Sequence, residues 1–141
     1  MKLLLARSNN IACKLLRLVM GSRWSHSAIL DEVLDVVYDS GAFQGGVKVH
    51  DFRKWARMYP QFEVRPLMLF EETQARVWIT EQFGKKYDWS AIFGIFFRRN
   101  WQEEDRWFCS ELVEVMRNKF GEPKFRSTAG RITPYHQDIV A

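Results

Sequence analysis

The segment over residues 107–113 (WFCSELV) places a cysteine where an extended apolar approach meets the start of a helix. The apolar residues that follow keep helical spacing, and they are Leu112, Val113, Met116 and Phe120. Gly121 and Pro123 then end the helical pattern. The segment therefore predicts a direct change from extended chain to helix, with Cys109 at the junction.

A cysteine at a helix start has a chemical environment of its own. Its thiol faces backbone N–H groups that have no helical partner, and it faces the positive end of the helix dipole. Both features favour the thiolate, which is the nucleophilic form of cysteine. The same N–H groups can hold the oxyanion that forms when a carbonyl is attacked. Cys109 is therefore a candidate nucleophile, and the alternative is a small buried apolar side chain.

The candidate base is His26, which lies in an apolar segment over residues 23–30 (RWSHSAIL). This segment predicts a strand, Asp31 and Glu32 predict a polar turn, and residues 33–39 (VLDVVYD) predict a second strand. The two strands would form a hairpin whose polar residues near the rim are available to a site. A purely structural histidine is the alternative interpretation.

The rest of the chain predicts further strands and helices in one domain over residues 1–141. A strand over residues 2–6 precedes a helix that Ser8 or Asn9 caps and Gly21 ends, with one apolar side made of Ile11, Leu15, Leu18 and Val19. The later elements are a strand over 47–50, a helical turn over 51–59, an edge or bulged strand over 62–69 with Pro66, a helix over 71–83, a helix over 89–97 capped by Asp88, a charged loop over 98–106 and a loop-rich tail over 125–139. The pattern indicates the α+β class.

Composition supports a packed globular domain. Of the 141 residues, 47% are hydrophobic and 15% are aromatic, with six Trp and eleven Phe. These aromatic residues indicate an aromatic-rich core, and the alternative is that some of them line an apolar groove for a lipid, sugar or peptide. The net charge of +4 permits attraction to anionic surfaces but does not indicate nucleic-acid binding.

Neither a metal motif nor a membrane span is indicated by the sequence. Cys13, Cys109 and the three histidines show no zinc-ligand spacing and no disulfide framework. The apolar run over residues 3–6 is shorter than the h-region of a signal peptide, and the apolar residues 91–97 (AIFGIFF) are too few to cross a bilayer. We therefore expect a cytoplasmic protein, released by lysis if at all, without a cofactor or metal.

Together these motifs resemble the circularly permuted papain-like superfamily of NlpC-type cysteine peptidases and amidases, in its bacterial and phage branch. The resemblance extends over residues 2–139, and its matching segments are WSHSAI at 24–29, VYDS at 37–40, GV at 46–47, KYDW at 86–89, FCSELV at 108–113 and ITP at 132–134. It implies an α+β, permuted papain-like fold in which a small antiparallel sheet packs on the cysteine-bearing helix.

The resemblance also implies a catalytic triad. Cys109 would be the nucleophile, His26 the base, and a third polar residue on the strand after the histidine would orient the imidazole. Asp39 matches that third residue, 39 − 26 = 13 positions after His26. Asp35 and His50 remain alternatives for it.

Two residues are assigned to the substrate or oxyanion side of the site. Tyr87 matches a family tyrosine that precedes the cysteine helix and borders the active site. Ser110 follows the cysteine in the first helical turn, where it is a better candidate for this supporting position than for a nucleophile.

The activity that the resemblance implies is a cysteine-dependent hydrolase that cleaves an amide bond in a peptide or peptidoglycan fragment through an acyl-enzyme. One alternative is a lipid-directed thiol acyltransferase or acyl hydrolase, since permuted relatives include lecithin–retinol-acyltransferase-like enzymes and the chain is rich in Phe and Trp. The other is a non-catalytic binding module on the same fold. The sequence leaves open the acyl acceptor, the oligomeric state and whether the origin is bacterial or phage.

Overall fold

The computed structural model describes residues 1–41, 45–88, 106–125 and 132–140. Within these ranges the elements are β1 (Lys2–Arg7), α1 (Ile11–Met20), β2 (His26–Asp31), β3 (Val36–Gly41), β4 (Gly46–Asp51), α2 (Phe52–Met58), β5 (Gln61–Pro66), α3 (Glu72–Glu81), β6 (Lys86–Tyr87), β7 (Arg106–Trp107), α4 (Cys109–Phe120) and α5 (Pro134–Val140). The mixed α+β class that the sequence predicts is confirmed.

The first five strands form one antiparallel sheet in the order β4-β3-β2-β1-β5. The predicted hairpin is β2 and β3, in which Ala28 lies opposite Asp39 and Ile29 lies opposite Tyr38. Its turn comes later than expected, over residues 32–35. Pro66 ends β5 at the edge of the sheet, where its missing N–H breaks no ladder.

Apolar side chains cover the sheet on both faces. One face packs against α3 and α4 through a cluster that includes Leu3, Leu5, Ile29, Ile79, Leu112, Val113 and Met116. On the other face, Trp55 of α2 packs against Leu4, Ala6, Ala28, Leu30 and Val37. Because side chains alternate along a strand, His26 and Asp39 share the α2 face with Ala28 and Val37.

The structure moves the start of α1 by one residue or two. The N-cap is Asn10, whose side-chain oxygen accepts the N–H of Cys13 at 2.7 Å, and the expected caps Ser8 and Asn9 lie before it. Gly21 ends the helix as predicted, at φ 63°, a left-handed conformation that a glycine adopts without side-chain strain.

The predicted loop-rich tail is wrong over its last residues, because Pro134–Val140 form α5. Pro134 suits the first turn of a helix, where its missing N–H would have no helical acceptor. The N–H of Gln137 donates to the carbonyl of Thr133 at 3.2 Å, which closes that turn.

Other predictions fall partly or wholly beyond these ranges. The helix predicted over 89–97 and most of the charged loop predicted over 98–106 lie outside the described residues. Among the helices that the structure does describe, none combines the length and the apolar character needed to span a bilayer.

Candidate active site

Cys109 is the first residue of α4, and its side chain is buried. Phe108 before it is extended, with φ −80° and ψ 147°, so β7 leads directly into the helix. The N–H of Leu112 donates to the carbonyl of Phe108 at 3.1 Å and closes the first helical turn. The N–H groups of Cys109, Ser110 and Glu111 therefore precede the helical hydrogen-bond ladder and have no carbonyl within it to bond.

Glu111 stabilises this helix start. Its carboxylate accepts the backbone N–H of Phe108 at 3.4 Å, which is the backward-reaching half of a capping box. Burial raises the pKa of Glu111 to about 7, and the negative charge of Asp88 adds to the rise. This carboxyl group therefore exchanges its proton near neutral pH, next to the candidate nucleophile.

His26 is the first residue of β2, and its ring is buried. The Nε2 atom lies 2.6 Å from Oδ1 of Asp39, on the neighbouring strand β3. Tyr59, the C-cap of α2, stacks on the imidazole with ring centroids 4.6 Å apart and planes 5° apart. The ring is therefore held in one orientation, with Nε2 on the carboxylate and Nδ1 as the nitrogen that remains for a second partner.

Asp39 is fully buried and accepts on both of its oxygens. The indole Nε1 of Trp55 donates to Oδ2 at 2.8 Å, and the ring of His26 occupies Oδ1. Of the three candidates for the residue that orients the imidazole, all of them in described parts of the chain, Asp39 makes the bond. Asp35 lies in the turn after β2, and His50 lies on β4.

The elements that carry Cys109 and His26 pack directly on each other. Burial disfavours a charged imidazole, but the negative charge of Asp39 raises the pKa of His26 well above 6.5, and a thiolate at Cys109 would add to that rise. The helix α4 packs on β2, and the side chains of Cys109 and His26 are both buried. The structure thus places the two side chains on adjoining elements, with the imidazole bonded to Asp39.

A second polar connection joins the two elements that carry the thiol and the imidazole. The hydroxyl of Ser27 donates to Oε1 of Gln137 at 2.5 Å, and Nε2 of Gln137 donates to the carbonyl of Ser110 at 3.1 Å. Ser27 directly follows His26, and Ser110 directly follows Cys109. One buried side-chain amide from α5 therefore sets the distance between the two chain positions on which the chemistry depends.

The amide of Gln137 is itself held by buried charges. Its Nε2 also donates to Oε1 of Glu114 at 2.8 Å, and the guanidinium of Arg117 lies 3.3 Å from the same oxygen. Burial raises the pKa of Glu114, and the charge of Arg117 opposes that rise. The three side chains form a polar network inside the apolar packing of α4.

Tyr87 ends β6 and is buried beside the start of α4. Its ring packs on that of Phe108, with centroids 5.9 Å apart. Burial raises the pKa of Tyr87 well above 10.0, and a thiolate at Cys109 would raise it further. The phenol therefore keeps its proton and its capacity to donate a hydrogen bond at every physiological pH.

Ser110 lies at the same helix start but uses its hydroxyl elsewhere. Its Oγ donates to the carbonyl of Ile132 at 2.5 Å, and its own carbonyl accepts from Gln137. The side chain thus ties α4 to the segment before α5. What Ser110 offers the site is its backbone N–H.

Three residues that hold His26, Asp39 and the start of α4 in place were not predicted from the sequence, and they are Trp55, Tyr59 and Gln137. The first two are four positions apart in one helical turn, a spacing that places them on the same side of α2. That spacing was an available signal, although it does not say which face of the sheet α2 covers. Gln137 had no sequence signal, because it stood in a segment predicted to be a loop.

The chemistry of the site follows from its own residues. Within the described ranges, no group of His, Cys, Asp and Glu has the geometry to hold a metal ion, and both Cys13 and Cys109 are free thiols.

Neither a family model, nor a curated protein, nor a solved structure matches this chain.

Proposed function

We propose that this chain is a cysteine-dependent hydrolase that cleaves amide bonds, with Cys109 as the nucleophile, His26 as the base and Asp39 as the residue that orients the base. The observation that carries the proposal is the bond of 2.6 Å between Nε2 of His26 and Oδ1 of Asp39, on a strand pair against which a helix that starts with a cysteine packs. Acyl transfer to a thiol requires a nucleophile, a base and a group that orients the base.

The fold that we propose is permuted papain-like. An antiparallel sheet packed on the cysteine-bearing helix supports it, as does the chain order, in which the histidine strand comes first and the cysteine helix follows. The substrate class, a peptide or peptidoglycan fragment, comes from the resemblance of the motifs to NlpC-type enzymes.

Acylation begins when His26 accepts the thiol proton on Nδ1 and the sulfur attacks the carbonyl carbon. A C–S bond forms, and the π electron pair moves to the oxygen, which accepts hydrogen bonds from N–H groups at the start of α4 and from the phenol of Tyr87. When this oxyanion collapses, the C–N bond breaks and the amine leaves with the proton that His26 held. Asp39 holds the imidazolium through Nε2 during both steps.

Deacylation repeats these steps with water as the nucleophile. His26 takes a proton from the water molecule as its oxygen attacks the thioester carbonyl. The C–S bond then breaks, the acid product leaves, and the proton returns from the imidazolium to the sulfur of Cys109. The cycle moves protons and one acyl group and needs no redox step.

Trapping the acyl-enzyme tests this proposal. The full chain is incubated with a panel of peptide amides, muropeptides and acyl esters, quenched in acid, and measured by intact-mass spectrometry. We expect a mass increase of one acyl group on Cys109, which Cys109→Ala abolishes. Cys13→Ala is the matched control and should keep the adduct, because Cys13 takes no part in the chemistry.

Two results would contradict the proposal. One is hydrolysis of a panel member at an unchanged rate in Cys109→Ala. The other is an adduct that forms on Cys13 and not on Cys109.

A further inference from the structure

The outward side of α1 is an exposed apolar face. Four apolar side chains of this ten-residue helix are exposed, at 83% for Ile11, 50% for Leu15, 78% for Leu18 and 42% for Val19. At about 100° per residue, these four positions lie on one side of the helix. Contiguous apolar surface of this kind marks an interaction site.

Basic residues flank this face, and acidic ones are absent from the whole segment around it. Residues 1–30 contain Lys2, Arg7, Lys14, Arg17 and Arg23 and no Asp or Glu. Lys14 lies on one flank of the apolar face, whereas Arg17 lies nearer the inward side of the helix, where its Nε atom is buried. Neither forms an ion pair with any residue that the structure describes, whereas Arg23 pairs with Glu63.

This charge pattern disfavours a second copy of the chain as the partner. A symmetric pair of α1 faces would bring Lys14 of both copies together, and neither helix holds a carboxylate to compensate it. An anionic lipid surface satisfies both features of the helix. Its acyl region receives apolar side chains, and its phosphates receive the flanking cation.

We propose that α1 is a membrane-docking helix that lies in the surface of an anionic bilayer. Ile11, Leu15 and Leu18 would enter the acyl region, and Lys14 would contact headgroup phosphates. The helix lies on the bilayer and does not cross it, since ten residues are half of what a span needs. Because one short helix buries little apolar area, this docking is reversible.

Co-sedimentation of the full chain with lipid vesicles tests the docking. We expect binding to vesicles of equal parts phosphatidylglycerol and phosphatidylcholine, which weakens as salt is added, and weaker binding to phosphatidylcholine alone. Leu15→Gln/Leu18→Gln should weaken binding roughly tenfold or more, because two apolar side chains no longer enter the acyl region. Lys14→Gln, which leaves the apolar face intact, should weaken binding to the anionic vesicles by about fivefold.

Val33→Gln is the matched control for the apolar change. Val33 is as exposed as Leu18, at 78%, but it lies in a turn beside Asp31 and Glu32, so this variant should bind like the unchanged chain. Cys109→Ala should also bind like it, which separates a failure of docking from a failure of the thiol chemistry. Circular dichroism and the thermal midpoint establish that each variant folds.

Three results would overturn the proposal. The first is no binding of the unchanged chain to anionic vesicles. The second is equal binding by Leu15→Gln/Leu18→Gln and Val33→Gln. The third is a dimer in the absence of lipid, detected by sedimentation velocity, that Leu15→Gln/Leu18→Gln abolishes.

Discussion

Asp39 of β3 joins side chains from two other elements, and the candidate site depends on that junction more than on any other residue. Its two oxygens accept the ring of His26 from β2 and the indole of Trp55 from α2. A buried carboxylate with a donor on each oxygen has a fixed plane, and the fixed plane orients the imidazole. The orientation of the imidazole therefore depends on the charge of Asp39 and on the indole donor that holds its carboxylate.

Asp39→Asn is expected to lower the pKa of His26 by about one unit or more, because it removes the main attractive charge beside the buried ring. The measurement is an NMR titration of the imidazole in a Cys109→Ala background. With Asp39 intact, the midpoint should lie well above 6.5. A midpoint that does not move in Asp39→Asn would show that the carboxylate does not hold the imidazolium.

The same bond predicts how stability depends on pH. The pKa of His26 is raised in the folded state, so the bond to Asp39 contributes fully below the unfolded value of 6.5 and is lost as pH rises through the folded pKa. The free energy of unfolding of the Cys109→Ala chain should therefore fall in that window. When Asp39→Asn is added to this chain, the free energy of unfolding should depend less on pH. Denaturant titrations over the same pH range measure it.

Trp55→Phe removes the indole donor from Asp39 but keeps an aromatic ring in the core. We expect roughly tenfold slower acylation and a loss of about 2 kcal/mol in the free energy of unfolding, since a buried acceptor loses its partner. The matched control is Trp78→Phe, whose indole packs on Trp107 and not on Asp39. Equal losses of acylation rate in both variants would argue against a positioning role for Trp55.

At the scale of elements, the thiol and the imidazole come from α4 and β2, so the site needs a fixed distance between these two elements. Gln137 of α5 supplies that constraint through its bonds to Ser27 and Ser110. A buried amide with all its bonds made fixes the packing more strictly than apolar contacts, which tolerate sliding.

Gln137→Leu is expected to slow alkylation of Cys109 by about tenfold at about pH 6, where the base is needed, and by less at about pH 9, where the thiolate forms without help. A misplaced base slows alkylation more at the lower pH than at the higher one, whereas a general loss of structure does not produce this difference. Ile139→Ala, at an exposed position of the same helix, should leave both rates unchanged. Equal slowing at both pH values would show that Gln137 is only structural.

Glu111 makes the start of α4 sensitive to pH. Its pKa is raised from 4.5 to about 7 on folding, so the folded state binds this proton more tightly and the free energy of unfolding falls as pH rises through that range. Glu111→Gln keeps an acceptor for the N–H of Phe108 and removes the titration. We expect it to reduce the fall by about 1–2 kcal/mol in denaturant titrations. The same pH slope in both proteins would contradict the assignment.

At the scale of the whole molecule, the sequence predicts those helices and strands whose residue pattern is local. The start of α4 follows from the apolar spacing after Cys109, and the hairpin that carries His26 and Asp39 follows from two predicted strands joined by a short turn. The bond between these two residues was implied only by the family resemblance. The contribution of Trp55 depends on which sheet face α2 covers, and that of Gln137 depends on where α5 packs. Both are tertiary contacts that no local pattern encodes.

The helix α1 shows another limit of prediction from sequence. Periodicity predicts that Ile11, Leu15, Leu18 and Val19 share one side of a helix, and the structure confirms it. Periodicity does not predict what covers that side, and in the structure it is exposed. An apolar side therefore indicates a partner, which is the protein core in α4 and, in our proposal, a lipid surface in α1.

The alkylation rates of the two free cysteines in one molecule test the central claim most directly. Iodoacetamide at about pH 6, with peptide mass spectrometry as the readout, compares buried Cys109 with half-buried Cys13 as its internal standard. If His26 draws the proton from Cys109, then Cys109 reacts first, and His26→Ala slows it about a hundredfold without changing Cys13. If Cys13 reacts first, or His26→Ala leaves the rate of Cys109 unchanged, the two groups do not act together and the account fails.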